Sequence, residues 1–369
     1  MDFLATTNTG WIEGWLAGQN AAILWLLTVG GIGVLVFGAD WTVESAVRLA
    51  GRLGMSKVII GATIVSLGTT TPEMFTSVTA AFRGESGLSL GNAVGSIICD
   101  TGLIFGLGCV LTRLPLNRFV LNRHGWLQFG SGLLLVAICV GLAVASGGIG
   151  LAGADNEATW NVIPRWIGLV LVACLIGYLA VSVRWARQRP DAVEETVVEV
   201  VEVAAPLVGP IARAGLVVTL ITLIVGLAMV AGGSNVLIPA VSELAVRYGV
   251  PKDFLAVTLV ALGTSLPELV TAIASIVKGH KELLVGNIIG ADILNVLFVV
   301  GLSSCAAELP VPPTFYLLHL PAMMVVLLLL RAYIFIGRES FRRWQGIPLL
   351  AVYVLYLAAL VVYAPQTAC

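Results

Sequence analysis

The sequence predicts an all-α membrane protein whose ten transmembrane helices form two inverted-topology repeats of five. Three observations predict it: an apolar composition, ten apolar runs of spanning length, and an internal repeat whose unit holds an odd number of spans. Of 369 residues, 58% are hydrophobic and 11% are charged, with a mean hydropathy of +0.99. Soluble domains carry about 25% charged residues. This chain has too few to face water on all sides.

A helix needs about 20 apolar residues to cross the bilayer core. Such runs occupy 20–44, 57–82, 87–111, 124–146, 163–183, 211–235, 251–278, 283–306, 314–336 and 346–364. No secretory leader is expected in Met1–Gln19, because that stretch lacks a basic start and the first apolar run is long enough to span. The six cysteines lie in or at the end of apolar runs, without metal-ligand spacing, and read as small hydrophobes. A net charge of −1 and the lack of a basic cluster give no reason to expect a nucleic-acid partner. No nucleophile–base pair or cofactor loop suggests an enzyme, and no cofactor is expected.

Loop charges set the orientation. With the N-terminus outside and sides alternating, 16 of the 20 Lys and Arg residues fall on the cytoplasmic side. Only Arg83, Arg165, Arg247 and Lys252 remain outside. Lys/Arg bias in short loops marks the cytoplasmic face. The expectation is a multi-pass protein of the cell's inner (plasma) membrane with both termini external.

Sliding the chain on itself by 195 residues aligns Gly38–Gly108 with Gly233–Ser303 without a gap, and 22 of the 71 pairs are identical. Each unit holds five spans, so the second copy enters the membrane from the opposite side, an arrangement found in secondary transporters. The expected units are 1–183 and 211–369, joined by a cytoplasmic linker at 184–210. The linker's acidic, valine-interleaved run Glu194–Glu202 reads as a solvated connection.

The second span of each unit contains Ser66-Leu-Gly-Thr-Thr-Thr-Pro-Glu73 or Ala261-Leu-Gly-Thr-Ser-Leu-Pro-Glu268. Proline lacks the backbone N–H and clashes with the carbonyl four residues back. The helices should therefore break at Pro72 and Pro267 and free carbonyls near Gly68 and Gly263. Carbonyl and hydroxyl oxygens are hard ligands of the kind Ca2+ takes. A carboxylate at the bilayer centre costs at least ~2.5–3.5 kcal/mol and marks a functional position by default. Glu73 and Glu268 occupy equivalent places and should converge, repelling each other unless a cation or a proton intervenes.

The third span of each unit adds Gly91-Asn-Ala-Val-Gly-Ser-Ile-Ile-Cys-Asp100 and Gly286-Asn-Ile-Ile-Gly-Ala-Asp-Ile-Leu-Asn295. Asn92, Ser96 and Asp100 share one helix face, and Asn287, Ala291 and Asn295 the matching one. Gly91/Gly95 and Gly286/Gly290 are small-xxx-small pairs that permit close packing. Asp292 lies one step round the helix, as a pore ligand or a rim residue. His124, at a helix start, is expected at the surface, and His319 as a packing or capping residue.

These paired segments resemble the α-repeats of the cation/calcium exchanger superfamily, the membrane family of Na+/Ca2+ exchangers and their relatives. Gly263-Thr-Ser-Leu-Pro-Glu268 is a specific signature of that family, varied at 68–73 as Gly-Thr-Thr-Thr-Pro-Glu. The resemblance covers 57–111 and 251–306 directly. It implies a secondary antiporter that exchanges Ca2+ for Na+ by alternating access, with the ions as its partners within the lipid bilayer; a monomer is one option for an oligomeric state that the sequence does not set. It also implies Glu73 and Glu268 as central ligands shared by Ca2+ and Na+. Thr69 and Thr264 would add carbonyl and hydroxyl oxygens, while Thr70, Ser265, Ser96 and the main chain at Ser66 and Ala261 would form flanking Na+ sites. Asp100 and Asn295 complete the implied set.

Prokaryotic exchangers of this type tend to carry Asn and Asp at the positions held here by Asp100 and Asn295, in that order. The two are exchanged in this chain, which still leaves Glu73, Glu268 and Asp100 as three central carboxylates. Ala291 stands where the pattern has a serine oxygen, and Ile97 and Asp292 stand where Asn is usual. Adjacent carboxylates can also share protons, so the alternative is H+-coupled exchange of Ca2+ or another divalent cation. A channel would need several weak sites and an open path, which the expected broken helices do not favour.

Overall fold

The protein is described by a computed structural model covering residues 14–16, 18–146, 148, 161–186, 215–248, 263–337 and 339–363. The architecture is mostly helical. In chain order the helices are α1 (Ala21–Leu53), α2 (Lys57–Thr69), α3 (Thr71–Phe82), α4 (Ser86–Leu111), α5 (Arg118–Ala145) and α6 (Arg165–Ala186). After residues outside the described set come α7 (Leu216–Arg247), α8 (Leu266–Val277), α9 (Lys281–Ala306), α10 (Phe315–Ile336) and α11 (Gly346–Tyr363).

Among the described residues, eight helices are long and apolar enough to cross a membrane, and nine spans result if α2 and α3 count as one broken span. The expected seventh run, 251–278, is represented by α8, and its first part lies outside the described residues. Two boundaries move. α1 continues past 44 to Leu53, where Glu44 and Arg48 form an i,i+4 ion pair that carries the helix beyond its apolar run. α5 starts at Arg118 because Asn117 caps it, its side chain accepting from the Val120 N–H at 3.3 Å.

The internal repeat is visible in the backbone. α3 and α8, which begin at Thr71 and Leu266 and end at Phe82 and Val277, are 195 residues apart at both ends. α4 and α9 end 195 residues apart, at Leu111 and Ala306, and share a π-helical stretch at Cys99–Phe105 and Asn295–Val300. The turns before them use glycine at matching positions with positive φ, Gly84 at 79° and Gly279 at 78°.

Two link pairings tie the halves together. β1 (Asn161–Ile163), before α6, pairs antiparallel with β2 (Leu309–Val311), before α10, with Val162 opposite Pro310. Pro115, before α5, bridges to Ser340, before α11. Leu116 N–H and Phe341 N–H donate to Glu339 and Leu114 carbonyls beside it. Each half therefore lends one link to the other.

The largest core joins residues of α4, α5, α6, α9, α10 and α11. α1 and α7 cross each other at small residues: a Cβ on Gly226 would lie 2.8 Å from the Thr42 nitrogen and 2.9 Å from the Gly38 oxygen. Close backbone approach of this kind is how helices associate in lipid, where apolar surface alone gives no drive. Cys99, Cys109 and Cys139 are buried free thiols, while Cys174 is exposed. Cys369 lies outside the described residues.

Candidate ion-binding site

The site begins at a break in a helix. α2 and α3 meet at Thr70 with a bend of 43°. Pro72 sits in the first turn of α3 and Pro267 in the first turn of α8, where a missing N–H is tolerated. Pro72 nonetheless leaves the Gly68 carbonyl without its helical donor, as expected. The Leu67 carbonyl is taken by the Thr71 hydroxyl at 2.6 Å.

Glu73 and Glu268 follow these prolines, each in the first turn of its helix and each buried. The N-terminal turn carries the positive end of the helix dipole, which favours a carboxylate. Thr70 donates its hydroxyl to Glu268 Oε1 at 3.4 Å. Glu268 Oε2 and both oxygens of Glu73 are buried without a hydrogen-bond partner. Glu73 lies within Coulomb range of Glu268 and Asp100.

The remaining candidates gather around this pair. The Thr69 hydroxyl reaches Asn287 Oδ1 at 3.4 Å and the Ser66 carbonyl at 3.3 Å. Ser96 and Thr264 hydroxyls are 3.4 Å apart. Asn92 donates to the Glu73 carbonyl at 3.2 Å and to Ser77 at 2.9 Å. Ser265 Oγ, Asn295 Oδ1 and both Asp100 oxygens are buried without hydrogen bonds. Ala261 lies outside the described residues. The helices are brought this close by glycine: a Cβ on Gly286 would lie 2.1 Å from the Val58 oxygen, and one on Gly290 2.5 Å from the Ala62 oxygen.

The three carboxylates expected to share one centre are charge neighbours of one another. Among the described residues, no three His, Cys, Asp or Glu side chains converge closely enough to hold one metal ion. Asp292 is a charge neighbour of Asp100 and of Glu268 as well, so four acidic groups lie near one another. They come from four helices, and like charges this near repel.

Buried oxygens without a protein hydrogen-bond partner need an explanation, since an unsatisfied one costs its desolvation. The donor chemistry here is carboxylate, hydroxyl, amide oxygen and freed carbonyl, with no thiolate or imidazole among the orphans of the pair. It suits hard cations carried as substrate.

The described chain matches the sodium/calcium exchanger protein family over residues 23–184 and 218–362. It belongs to that family. It is a cation antiporter and a multi-pass membrane protein, and not an enzyme. It is 28% identical to the sodium/calcium exchanger MaX1 of Methanosarcina acetivorans over 91% of this chain and 97% of that one. It is 30% identical to the inner membrane protein YrbG of Escherichia coli over 92% and 97% respectively. A solved structure of the sodium-calcium exchanger NCX_Mj, soaked with zero Na+ and Ca2+, superposes with a TM-score of 0.73 at 26% identity, covering 92% of this chain and all of that one.

One residue corrects the sequence reading and three escaped it. His124 is buried, not at the surface, because α5 begins a turn and a half earlier than its apolar run and places the ring between Tyr178 and Trp185. Asp292, left open between pore ligand and rim residue, accepts hydrogen bonds from Gln128 on α5 and Thr101 on α4. His319 packs as expected, stacked on Phe315 and 2.8 Å from the Tyr356 hydroxyl. Gln128, Thr101 and Tyr178 were not singled out by sequence. The signal for Gln128 was available, since it is an amide inside an otherwise apolar run. Tyr178, whose hydroxyl donates to the Ala62 carbonyl at 2.6 Å, gave none, because tyrosine is ordinary in a spanning helix.

Proposed function

We propose that this antiporter exchanges Ca2+ for Na+ by alternating access, with Glu73 and Glu268 as the shared ligands. The observation that carries the reading is the pair of buried, incompletely bonded carboxylates in the first turns of α3 and α8. Either Ca2+ or several Na+ neutralises them. An uncompensated pair would carry charge through a low-dielectric barrier, so the molecule rearranges only when loaded. That condition makes the flux an exchange rather than a leak. Thr69, Thr70, Ser66, Ser96, Thr264, Ser265, Asp100, Asn295 and the Ala261 carbonyl serve as the flanking oxygen ligands in this reading.

The architecture proposed with it has ten spans in two inverted repeats of five, with both termini external and 184–210 cytoplasmic. The reciprocal pairings support it. β1 and β2 precede α6 and α10, which places both on one side, and Pro115 and Ser340 both fall on the other. The latter pairing draws Arg113 together with Arg342 and Arg343 around one cavity, as clustering of basic loops at the cytoplasmic face requires. Every candidate ligand comes from one chain, so a monomer suffices.

H+ coupling is the second reading. Ala291, fully buried, offers no oxygen where the resemblance implies a serine, and this weakens one Na+ site. The deciding experiment loads proteoliposomes with Na+ and measures 45Ca2+ uptake on dilution into Na+-free buffer, against uptake driven by an imposed pH gradient. Saturable uptake that needs the Na+ gradient is expected. Uptake that follows the pH gradient alone would replace Na+ with H+, and uptake without any counter-ion would make the protein a channel.

A further inference from the structure

We propose that Tyr178, steadied by His124, is a positioning residue: it holds the π-helical turn of α2 against α9 and so keeps Ser66, Thr69 and Thr70 in place at the ion site.

α2 contains a π-helical turn at Gly61–Val65, where the Ser66 N–H reaches back five residues to the Gly61 carbonyl. Such a turn holds one residue more than an α-turn. Were it to tighten, everything beyond it would rotate by about 100°, one residue's share of an α-helical turn. Ser66, Thr69 and Thr70 all lie beyond it. The Tyr178 hydroxyl, reaching in from α6, donates to the Ala62 carbonyl within this turn at 2.6 Å. The same carbonyl faces α9, since a Cβ on Gly290 would lie 2.5 Å from it. Ala62 is therefore held from two sides, by a hydroxyl of α6 and by the glycine surface of α9.

His124 steadies the tyrosine. A phenol has one proton to donate, and Tyr178 directs it at Ala62. In the 3.3 Å contact between His124 Nδ1 and the Tyr178 oxygen, the imidazole is then the donor. That tautomer leaves Nε2 as a bare acceptor, and Nε2 is indeed buried without a partner. Tyr178 and Trp185 both meet the imidazole edge-on and fix its plane. The arrangement recurs in the other repeat. His319 stands 195 residues after His124, and its Nδ1 lies 2.8 Å from the Tyr356 hydroxyl on α11. Tyr356 approaches α4 at Gly95, the repeat partner of Gly290, where a Cβ would lie 4.0 Å from its hydroxyl. Two of the three histidines thus each bond a tyrosine that faces a helix carrying the site. Polar groups linked across helices in this way rigidify the core they join. The consequence for ion binding rests on the ligands assigned under the proposed function, whereas the hold on α2 does not.

Tyr178→Phe keeps the ring and removes the hydroxyl. Hydrogen exchange on the purified full chain should then become about tenfold faster in α2 from Ala62 to Thr69, with α6 unchanged. Equilibrium binding of 45Ca2+ should weaken about tenfold at an unchanged number of ions per chain. His124→Leu should move both readings in the same direction. His124→Asn, whose amide keeps a donor near the Nδ1 position, should return them to wild type. A merely structural role would reduce the number of binding chains and leave the affinity of the rest as it was. That result, or wild-type exchange in α2 of Tyr178→Phe, overturns the proposal. No recovery in His124→Asn overturns the part assigned to His124. Should Tyr178→Phe not fold, exchange and affinity in His124→Leu decide. If wild type binds no 45Ca2+ at all, the proposed function fails, and exchange in α2 still judges the hold of Tyr178.

Discussion

The hydroxyl of Thr70, at the break between α2 and α3, donates to Glu268 Oε1 at 3.4 Å on α8. A residue of one repeat thus steadies the carboxylate of the other. Thr70→Val keeps the side chain's shape and removes the donor, leaving a second Glu268 oxygen unpartnered at a cost of about 1–3 kcal/mol. The half-saturating Ca2+ for Na+-driven uptake should rise about tenfold, corresponding to ~1.4 kcal/mol. Thr70→Ser should restore it. Measuring uptake against Ca2+ concentration in proteoliposomes checks this, and an unchanged half-saturation would show that Thr70 does not hold Glu268.

Glu73→Gln and Glu268→Gln should each reduce Na+-driven Ca2+ uptake at least about 100-fold, a loss of ~2.7 kcal/mol. The same substitutions remove one member of a like-charged, buried neighbour pair. Relief of that repulsion should raise the thermal transition of each variant above wild type in Na+-free buffer with a Ca2+ chelator. Loss of uptake with a lowered transition would point instead to a structural role.

How much of this was legible in the sequence differs from element to element. The glutamates announced themselves through the cost of charge in lipid, and the prolines through the helical donor they lack. The 195-residue repeat carried the bounds of α3 and α8, the π-helical stretches and the glycine turns to matching places because equal residues impose equal local geometry. What stayed hidden was pairing across helices. Helical spacing showed Asp292 to be off the common face, but which neighbour it met depended on the rotation of α5, set by packing. His124 was misread for the same reason, since apolar runs mark where a helix enters lipid and not where it starts.

Gly286 and Gly290 define how closely α9 lies against α2, and their replacement should be felt at the site. A Cβ at Gly286 would meet backbone, the Val58 oxygen at 2.1 Å, and one at Gly290 would meet the Ala62 oxygen at 2.5 Å and Ser66 Oγ at 2.6 Å. Backbone cannot rotate aside as a side chain can. Gly286→Ala and Gly290→Ala should each destabilise the fold by about 1–3 kcal/mol, the usual range for overpacking. Gly30→Ala, where nothing lies within 4 Å, is the control and should not lower the thermal transition. Thermal unfolding in detergent checks all three, and a wild-type transition in Gly286→Ala would mean that the helices part without penalty.

Ala291 bears on the counter-ion. It is buried on α9 one turn before Asn295, and its face carries Asn287 on the other side. Asn287 Oδ1 already meets the Thr69 hydroxyl, and Asn295 Oδ1 is unpartnered. Ala291→Ser adds one hydroxyl oxygen to this face at little change in volume. If Na+ is the exchanged ion, the added ligand should lower half-saturating Na+ about threefold to tenfold, or ~0.7–1.4 kcal/mol. Uptake driven by a pH gradient should not increase. The measurement is 45Ca2+ uptake at graded internal Na+ and again at graded internal pH with Na+ absent. A gain confined to the pH series would assign the counter-ion to the proton, and no gain in either would place Ala291 outside the ion path.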